Sequence, residues 1–220
     1  TCMTPRGTSC TPVVLAATHV SFPDFLFIGR SLLDSGRLVR FMCRHDIWDV
    51  APLARLMDAM GHVPVDRQAP AAAYLHARRL LRAGEVVCVF PEGGISAAYT
   101  TRALMPGAAA LARETGAPLV PVSIWGSHRL WPQKRSLEDP LPRPDLTRGR
   151  VVDVRFGEPM TVSPHDDVAA VTEELGHRLW RGLETLQHLP EHLPRPGEHA
   201  RWFPAHLGGH ALERSASFVV

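Results

Sequence analysis

The sequence predicts one α/β domain: a single unit with a mostly parallel central sheet flanked by helices. Short apolar runs alternate with longer stretches of helical period, the rhythm of strand–helix–strand units. The runs stop at punctuating residues such as Gly84 and Pro91. Length and composition agree: 220 residues, 45% hydrophobic and 21% charged, suffice for one globular core.

The elements follow in order. Residues 12–17 (PVVLAA) read as a buried strand and 22–33 as a helix, with Ser21 and Asp24 spaced as a capping box and Pro23 in the first turn. Residues 38–43 form a second strand, 50–60 an amphipathic helix and 63–65 a very short strand. A helix over 69–82 is closed by Gly84. The run 86–90 (VVCVF) is the clearest core strand, and Pro91 ends it. A helix over 107–115, strands over 119–124 and 151–156 and a long helix over 166–188 complete the pattern. Residues 125–150, rich in Pro and Arg, predict an extended loop or flap. The division expected is a domain over 1–188 and a Pro/Gly/His-rich tail over 189–220 that packs loosely or is disordered.

A formal charge of +2, from 24 basic and 22 acidic residues, argues against nucleic acid as the main partner. Lys134 is the only lysine; the arginine bias suits phosphate contact, but GC-rich coding explains it better. Cys2, Cys10, Cys43 and Cys88 show no metal or disulfide spacing, so a reducing, cytosolic setting is the default. No apolar run reaches the roughly 18 residues of a membrane span. The chain starts at Thr1 with neither an initiator methionine nor a signal-peptide pattern, which reads as a processed or excerpted sequence.

Candidate chemistry collects at strand ends, where α/β sheets bind ligands. His19 leaves the first strand and Asp24 enters the following helix. The turn between them can fold the carboxylate onto one ring nitrogen, leaving the other to take a proton from a hydroxyl. The bland alternative makes Asp24 a capping residue and His19 incidental. Phe90-Pro91-Glu92-Gly93-Gly94 presents a carboxylate and glycine amides suited to an oxyanion or phosphate, or is simply a strand-ending turn. Gly61-His62-Val63-Pro64-Val65-Asp66-Arg67 brings an arginine to the rim, as a phosphate clamp or as an ion pair with Asp66.

THVSFPD, GHVPVDR, FPEGG and Pro118-Leu119-Val120-Pro121-Val122 occur in this order and spacing over roughly residues 8–160. Together they resemble the four motif blocks of the PlsC-type glycerolipid acyltransferases. The resemblance implies His19 as general base and Asp24 as its orienting partner. It implies Arg67 on the acceptor's phosphate, Glu92, Gly93 and the adjacent Gly94 at the acceptor, and the block around Pro121 on the acyl-donor side. It implies transfer of a fatty acyl group from acyl-CoA or acyl-carrier protein, with no other cofactor and no metal. The acceptor would be a lysophospholipid hydroxyl, foremost that of 1-acylglycerol-3-phosphate, in phospholipid biosynthesis. Peripheral attachment to the cytoplasmic face of the cell membrane follows. Three positions depart from the pattern: Thr18 stands where Asn is usual, Gly94 and Ile95 replace Thr-Arg, and Met105 replaces a frequent lysine. Two cations are thereby missing near the acceptor.

Rival readings remain at this point. A degraded site would make the chain a non-catalytic lipid-binding homologue. Gly94-Ile95-Ser96-Ala97-Ala98 loosely imitates the nucleophile elbow of a serine hydrolase, with Ser96 as nucleophile. The tail histidines His188, His192, His199, His206 and His210 invite a zinc site, although solvated side chains explain them better. Trp125 and Trp131, with Arg129, Lys134 and Arg135, suit a lipid headgroup boundary or an ordinary packed loop.

Overall fold

A computed structural model describes residues 11–134 and 138–216, so Cys2, Cys10 and Arg135 lie outside the described residues. The strands are β1 (Val13–Ala17), β2 (Val39–Arg44), β3 (Val63–Val65), β4 (Val86–Val89), β5 (Leu119–Trp125) and β6 (Asp153–Phe156). The helices are α1 (Asp24–Leu33), α2 (Ala51–Ala59), α3 (Ala71–Arg82), α4 (Gly107–Thr115) and α5 (Val168–Gln187). The sheet runs β3-β2-β4-β1-β5-β6, parallel throughout except for β6, which returns antiparallel to β5.

β1 lies inside the sheet, with Leu15 opposite Cys88 of β4 and Val120 of β5. Successive side chains of a strand point to opposite faces. Val14 and Ala16 accordingly join a core cluster with α3, α4 and the first half of α5 (Ala77, Leu81, Leu111, Leu175, Leu179). Leu15 and Ala17 join the opposite cluster with Ile28, Phe41, Trp125 and Leu183. Burial on both faces explains why these strands read as continuous apolar runs.

Most element ends fall within two residues of the pattern-based boundaries, and prolines account for two shifts. α3 begins at Ala71 because Pro70, at φ −68°, takes the N-cap position, where its missing N–H is no loss. α1 begins at Asp24 behind Pro23. The capping box expected at its start is only half formed: Asp24 Oδ2 accepts from Ser21 N at 2.9 Å, but the Ser21 hydroxyl donates to Trp131 O at 2.6 Å.

The tail is the main correction. Instead of packing loosely, it carries His192, Ala200 and Phe203 into the interior at 0%, 1% and 2% exposure. Ala200 and Phe203 join the cluster around Trp125, while His192 Nε2 meets Asp153 Oδ2 of β6 at 2.7 Å. Apolar residues hidden among the prolines hold it down, and composition masked them.

Of the two settings open to Trp125, the packed interior is the one that forms. This side chain is fully buried at the end of β5, against His128 and Phe203. Trp131 packs on Phe22 and bonds Pro142 O, and Arg129 stacks on Trp202 rather than facing lipid. Among the described residues no helix is long and apolar enough to cross a membrane.

Candidate active site

His19 follows β1 and is fixed by its neighbours before its ring is considered. Thr18, fully buried, donates its N–H to Val122 O at 2.9 Å and accepts from Ile124 N on Oγ1 at 3.0 Å. Threonine thus stitches the end of β1 to β5 where the resemblance expected asparagine. The ring of His19 stacks on Phe90 with centroids 4.1 Å apart, which fixes its plane.

Asp24 is fully buried and lies 2.9 Å from His19 Nδ1 through Oδ2. The same oxygen accepts from Val20 N at 2.8 Å and Ser21 N at 2.9 Å. Oδ1 accepts from the Ser127 hydroxyl at 2.5 Å. Four donors compensate the desolvation of this carboxylate and hold it as an acceptor. An ionised carboxylate only accepts, so Nδ1 carries the ring proton and Nε2 is left as the basic nitrogen. Nε2 has no hydrogen-bond partner among the described residues, and the ring keeps an 18% exposed side chain.

Glu92 stands beside this pair in a turn closed by Gly93 N donating to Phe90 O at 3.1 Å. Pro91 and Gly93 occupy the second and fourth positions, which suit a tight turn. Gly93 has φ +70° and would place a Cβ 2.8 Å from Met105 Cε, so a side chain there is strained and crowded. Glu92 Oε1 accepts from His19 N and Oε2 from Arg102 N, each at 3.0 Å. Burial pushes this carboxyl up to about 8, against the two backbone donors and the Arg102 charge, which pull it down. With both oxygens turned inward and 7% exposure, Glu92 braces the backbone of His19.

Arg67 reaches the same turn. Its Nη2 donates to Gly93 O at 2.6 Å, and Asp66 instead accepts from Gln68 N. The ion-pair alternative is therefore not what forms. Arg67 also lines a cavity of about 250 Å³ with Arg44, His45, Asp46, Val65, Asp66 and Gln68 at the carboxyl ends of β2 and β3. The structure thus brings His19, Asp24, Glu92, Gly93 and Arg67 into one contact chain, with buried Gly94 next in sequence.

Ser127 escaped the sequence reasoning, as did the stacking of Phe90, a residue of the flagged motif, on His19. Ser127 stands two residues past β5, another strand end of the kind that flagged the rest, but lay in a stretch assigned to a flap. It is placed by Gly126, whose φ of +98° and whose hypothetical Cβ, 2.2 Å from Val151 O, admit only glycine.

Ser96 is 1% exposed, and residues 97–100 turn instead of entering a helix, so no nucleophile elbow forms. Among the described residues no group of three or more His, Cys, Asp or Glu side chains could hold a metal. The tail histidines converge on no common point: His192 bonds Asp153, His188 its own helix at Glu184 O, and His199 packs at a tilt against His210. Burial pushes the Cys43 thiol up to about 12, and Cys88 well above its ordinary value, which leaves both unreactive.

A family model described as Acyltransferase matches residues 6–125, just over half of the chain. A chloroplastic 1-acyl-sn-glycerol-3-phosphate acyltransferase of Brassica napus is 31% identical over 127 residues, 56% of this chain and 36% of the relative. A 1-acyl-sn-glycerol-3-phosphate acyltransferase of Bacillus subtilis is 24% identical over 173 residues, 76% of this chain and 78% of the relative. The chain spans about a third of the length of the chloroplastic relatives it matches. The crystal structure of the 1-acyl-sn-glycerophosphate acyltransferase PlsC from Thermotoga maritima superposes with a TM-score of 0.59 at 20% identity, covering 84% of this chain and 71% of that one. That likeness concerns the fold.

Proposed function

The chain belongs to the Acyltransferase family, and from that premise we propose that it moves a fatty acyl group from a thioester onto the hydroxyl of 1-acylglycerol-3-phosphate, in phospholipid biosynthesis. The acyl donor is acyl-CoA or acyl-carrier protein, and no further cofactor enters the chemistry. The observation that carries this reading is the His19 Nδ1–Asp24 Oδ2 contact at 2.9 Å, with Asp24 sealed from water.

In the mechanism, His19 Nε2 takes the proton of the acceptor hydroxyl as its oxygen attacks the thioester carbonyl carbon. The C–O bond forms, the C–S bond then breaks, and the imidazolium returns its proton to the departing thiolate. Asp24 stabilises the imidazolium between these transfers, as the carboxylate of a hydrolase triad does. No protein nucleophile is required, because the thioester is already activated. Arg67, in the lining of the cavity at the carboxyl ends of β2 and β3, contacts the acceptor's phosphate. Peripheral contact with the cytoplasmic face of the cell membrane would draw on exposed leucines of the flanking helices, Leu26 and Leu33 of α1 and Leu53 and Leu56 of α2.

The test is thiol release from acyl-CoA in the presence of 1-acylglycerol-3-phosphate. Wild type releases free CoA and forms the diacyl product, and His19→Ala reduces the rate by roughly a thousandfold or more, the scale of losing a general base. Equal release by both proteins with every lysolipid offered overturns the reading and favours a non-catalytic lipid-binding homologue.

A further inference from the structure

The two positions where the resemblance expects cations, Ile95 and Met105, bracket a segment that folds back onto the Glu92–Gly93 turn. Ile95, at the position where the resemblance expects arginine, is 2% exposed and belongs to the interior. The chain then runs through buried Ala97, Ala98 and Tyr99, turns back with Tyr99 at φ +54°, and returns to the Glu92–Gly93 turn. The return is pinned at two points: Arg102 N donates to Glu92 Oε2 at 3.0 Å, and Met105 N donates to Pro91 O at 2.8 Å. Met105 lies over Gly93, so the segment 102–105 runs along the wall of the site.

The geometry points to Arg102 as the residue that selects a phosphate-bearing acceptor, closing on the headgroup together with Arg67. Three observations carry this. Through Glu92, the backbone of Arg102 is one residue removed from the backbone of His19: Glu92 bonds His19 N with one oxygen and Arg102 N with the other. Arg67 holds the adjacent Gly93 O, so two arginines attach to neighbouring residues of one turn. Among the described residues the Arg102 guanidinium, on a half-buried residue, has no ion pair or hydrogen bond, whereas Arg40, Arg44, Arg78 and Arg178 are each paired with a carboxylate. Its charge nonetheless reaches the Glu92 carboxyl. An unpaired planar fork on a residue bound through its backbone to Glu92 is suited to bidentate contact with phosphate oxygens.

This inference rests on the acyltransfer reading, and its test separates the two. Kinetics of wild type, Arg102→Ala and Arg102→Lys are compared on 1-acylglycerol-3-phosphate and on a neutral monoacylglycerol of the same chain. The substitutions keep the backbone N–H that Glu92 needs. Arg102→Ala is expected to raise KM for the phosphate-bearing acceptor on the order of tenfold or more, the scale of a lost charge-assisted contact, with kcat little changed. The neutral acceptor is unaffected, and Arg102→Lys recovers part of the loss. Equal losses on both acceptors, or none on either, overturn the assignment. Binding of a short-chain lysophosphatidic acid by titration calorimetry gives a readout that needs no turnover. If wild type transfers no acyl group, yet binds this lipid more tightly than Arg102→Ala does, the selection role stands and the acyltransfer reading falls. Identical binding by the two proteins overturns the selection role.

Discussion

The Ser127 hydroxyl lies 2.5 Å from Asp24 Oδ1, across 103 residues of sequence. Among the described residues it is the sole donor to that oxygen, because His19, Val20 and Ser21 all converge on Oδ2. The orientation of the carboxylate plane therefore depends on a residue from another strand.

Ser127→Ala should leave Oδ1 of a buried carboxylate without a donor, a loss of about 1.5–3 kcal/mol for a charge-assisted bond. Part of this falls on the transition state, so kcat for acyl transfer is expected to drop about tenfold. The melting temperature reports the remainder. A kcat within twofold of wild type would mean that three donors on Oδ2 suffice.

Glu92→Gln preserves shape and removes an acceptor. One of the two backbone donors, His19 N or Arg102 N, would then face an amide NH2 instead of an oxygen. An unsatisfied buried donor costs about 1–3 kcal/mol, and here it displaces the backbone that carries His19. Steady-state assays should show a fall in kcat of about tenfold with the fold intact by circular dichroism. Unchanged turnover would show that Glu92 does not brace His19.

Acid should destabilise the domain through His128. Burial, ahead of the neighbouring Arg129, His192 and Arg150 charges, pulls its pKa from 6.5 to about 3, although its bond to Trp202 O pulls the other way. Because the folded pKa lies below the unfolded one, the unfolded chain binds the proton more readily. The neutral-histidine contribution is intact above about 6.5 and is lost as pH falls toward 3. At pH 5 the loss is about 2 kcal/mol. His62, pulled to about 4 by burial and by Arg40, adds in the same direction. Melting curves between pH 7.5 and pH 5 are the measurement, and His128→Phe should flatten the slope. An identical slope in that variant would remove His128 from the account.

Phe203→Ala addresses the tail. Phe203 is 2% exposed against Trp125 and Trp202. Truncating a buried aromatic costs about 3–5 kcal/mol, a fall of roughly 10 °C in melting temperature for a domain of this size. A change of under 2 °C would return the tail to the loosely packed segment that its composition suggests.

The fold was legible where burial writes itself into a run of residues. Val86–Val89 and Val13–Ala17 are apolar throughout because helices cover both faces of the sheet. The site was legible where a strand end carries a polar residue in a short motif, as at His19, Glu92 and Arg67. Contacts made across long separations were not. Ser127 on Asp24 leaves no local pattern, because it is set by how two separate elements dock, and Arg102 N on Glu92 depends on the path of one irregular loop. The tail was misjudged for a related reason: a few large side chains can bury an irregular segment without any periodicity to announce it.

The interior place of β1 also governs when the site comes into being. His19 and Asp24 precede the elements that complete them: β1 finds its two partners only in β4 and β5, and Asp24 waits for Ser127 beyond them. Pairings so distant in sequence form late and slowly. A nascent chain interrupted before β5 would hold the histidine and the aspartate but not the posture that joins them. Competence is therefore gained only once β5 and the turn after it are in place.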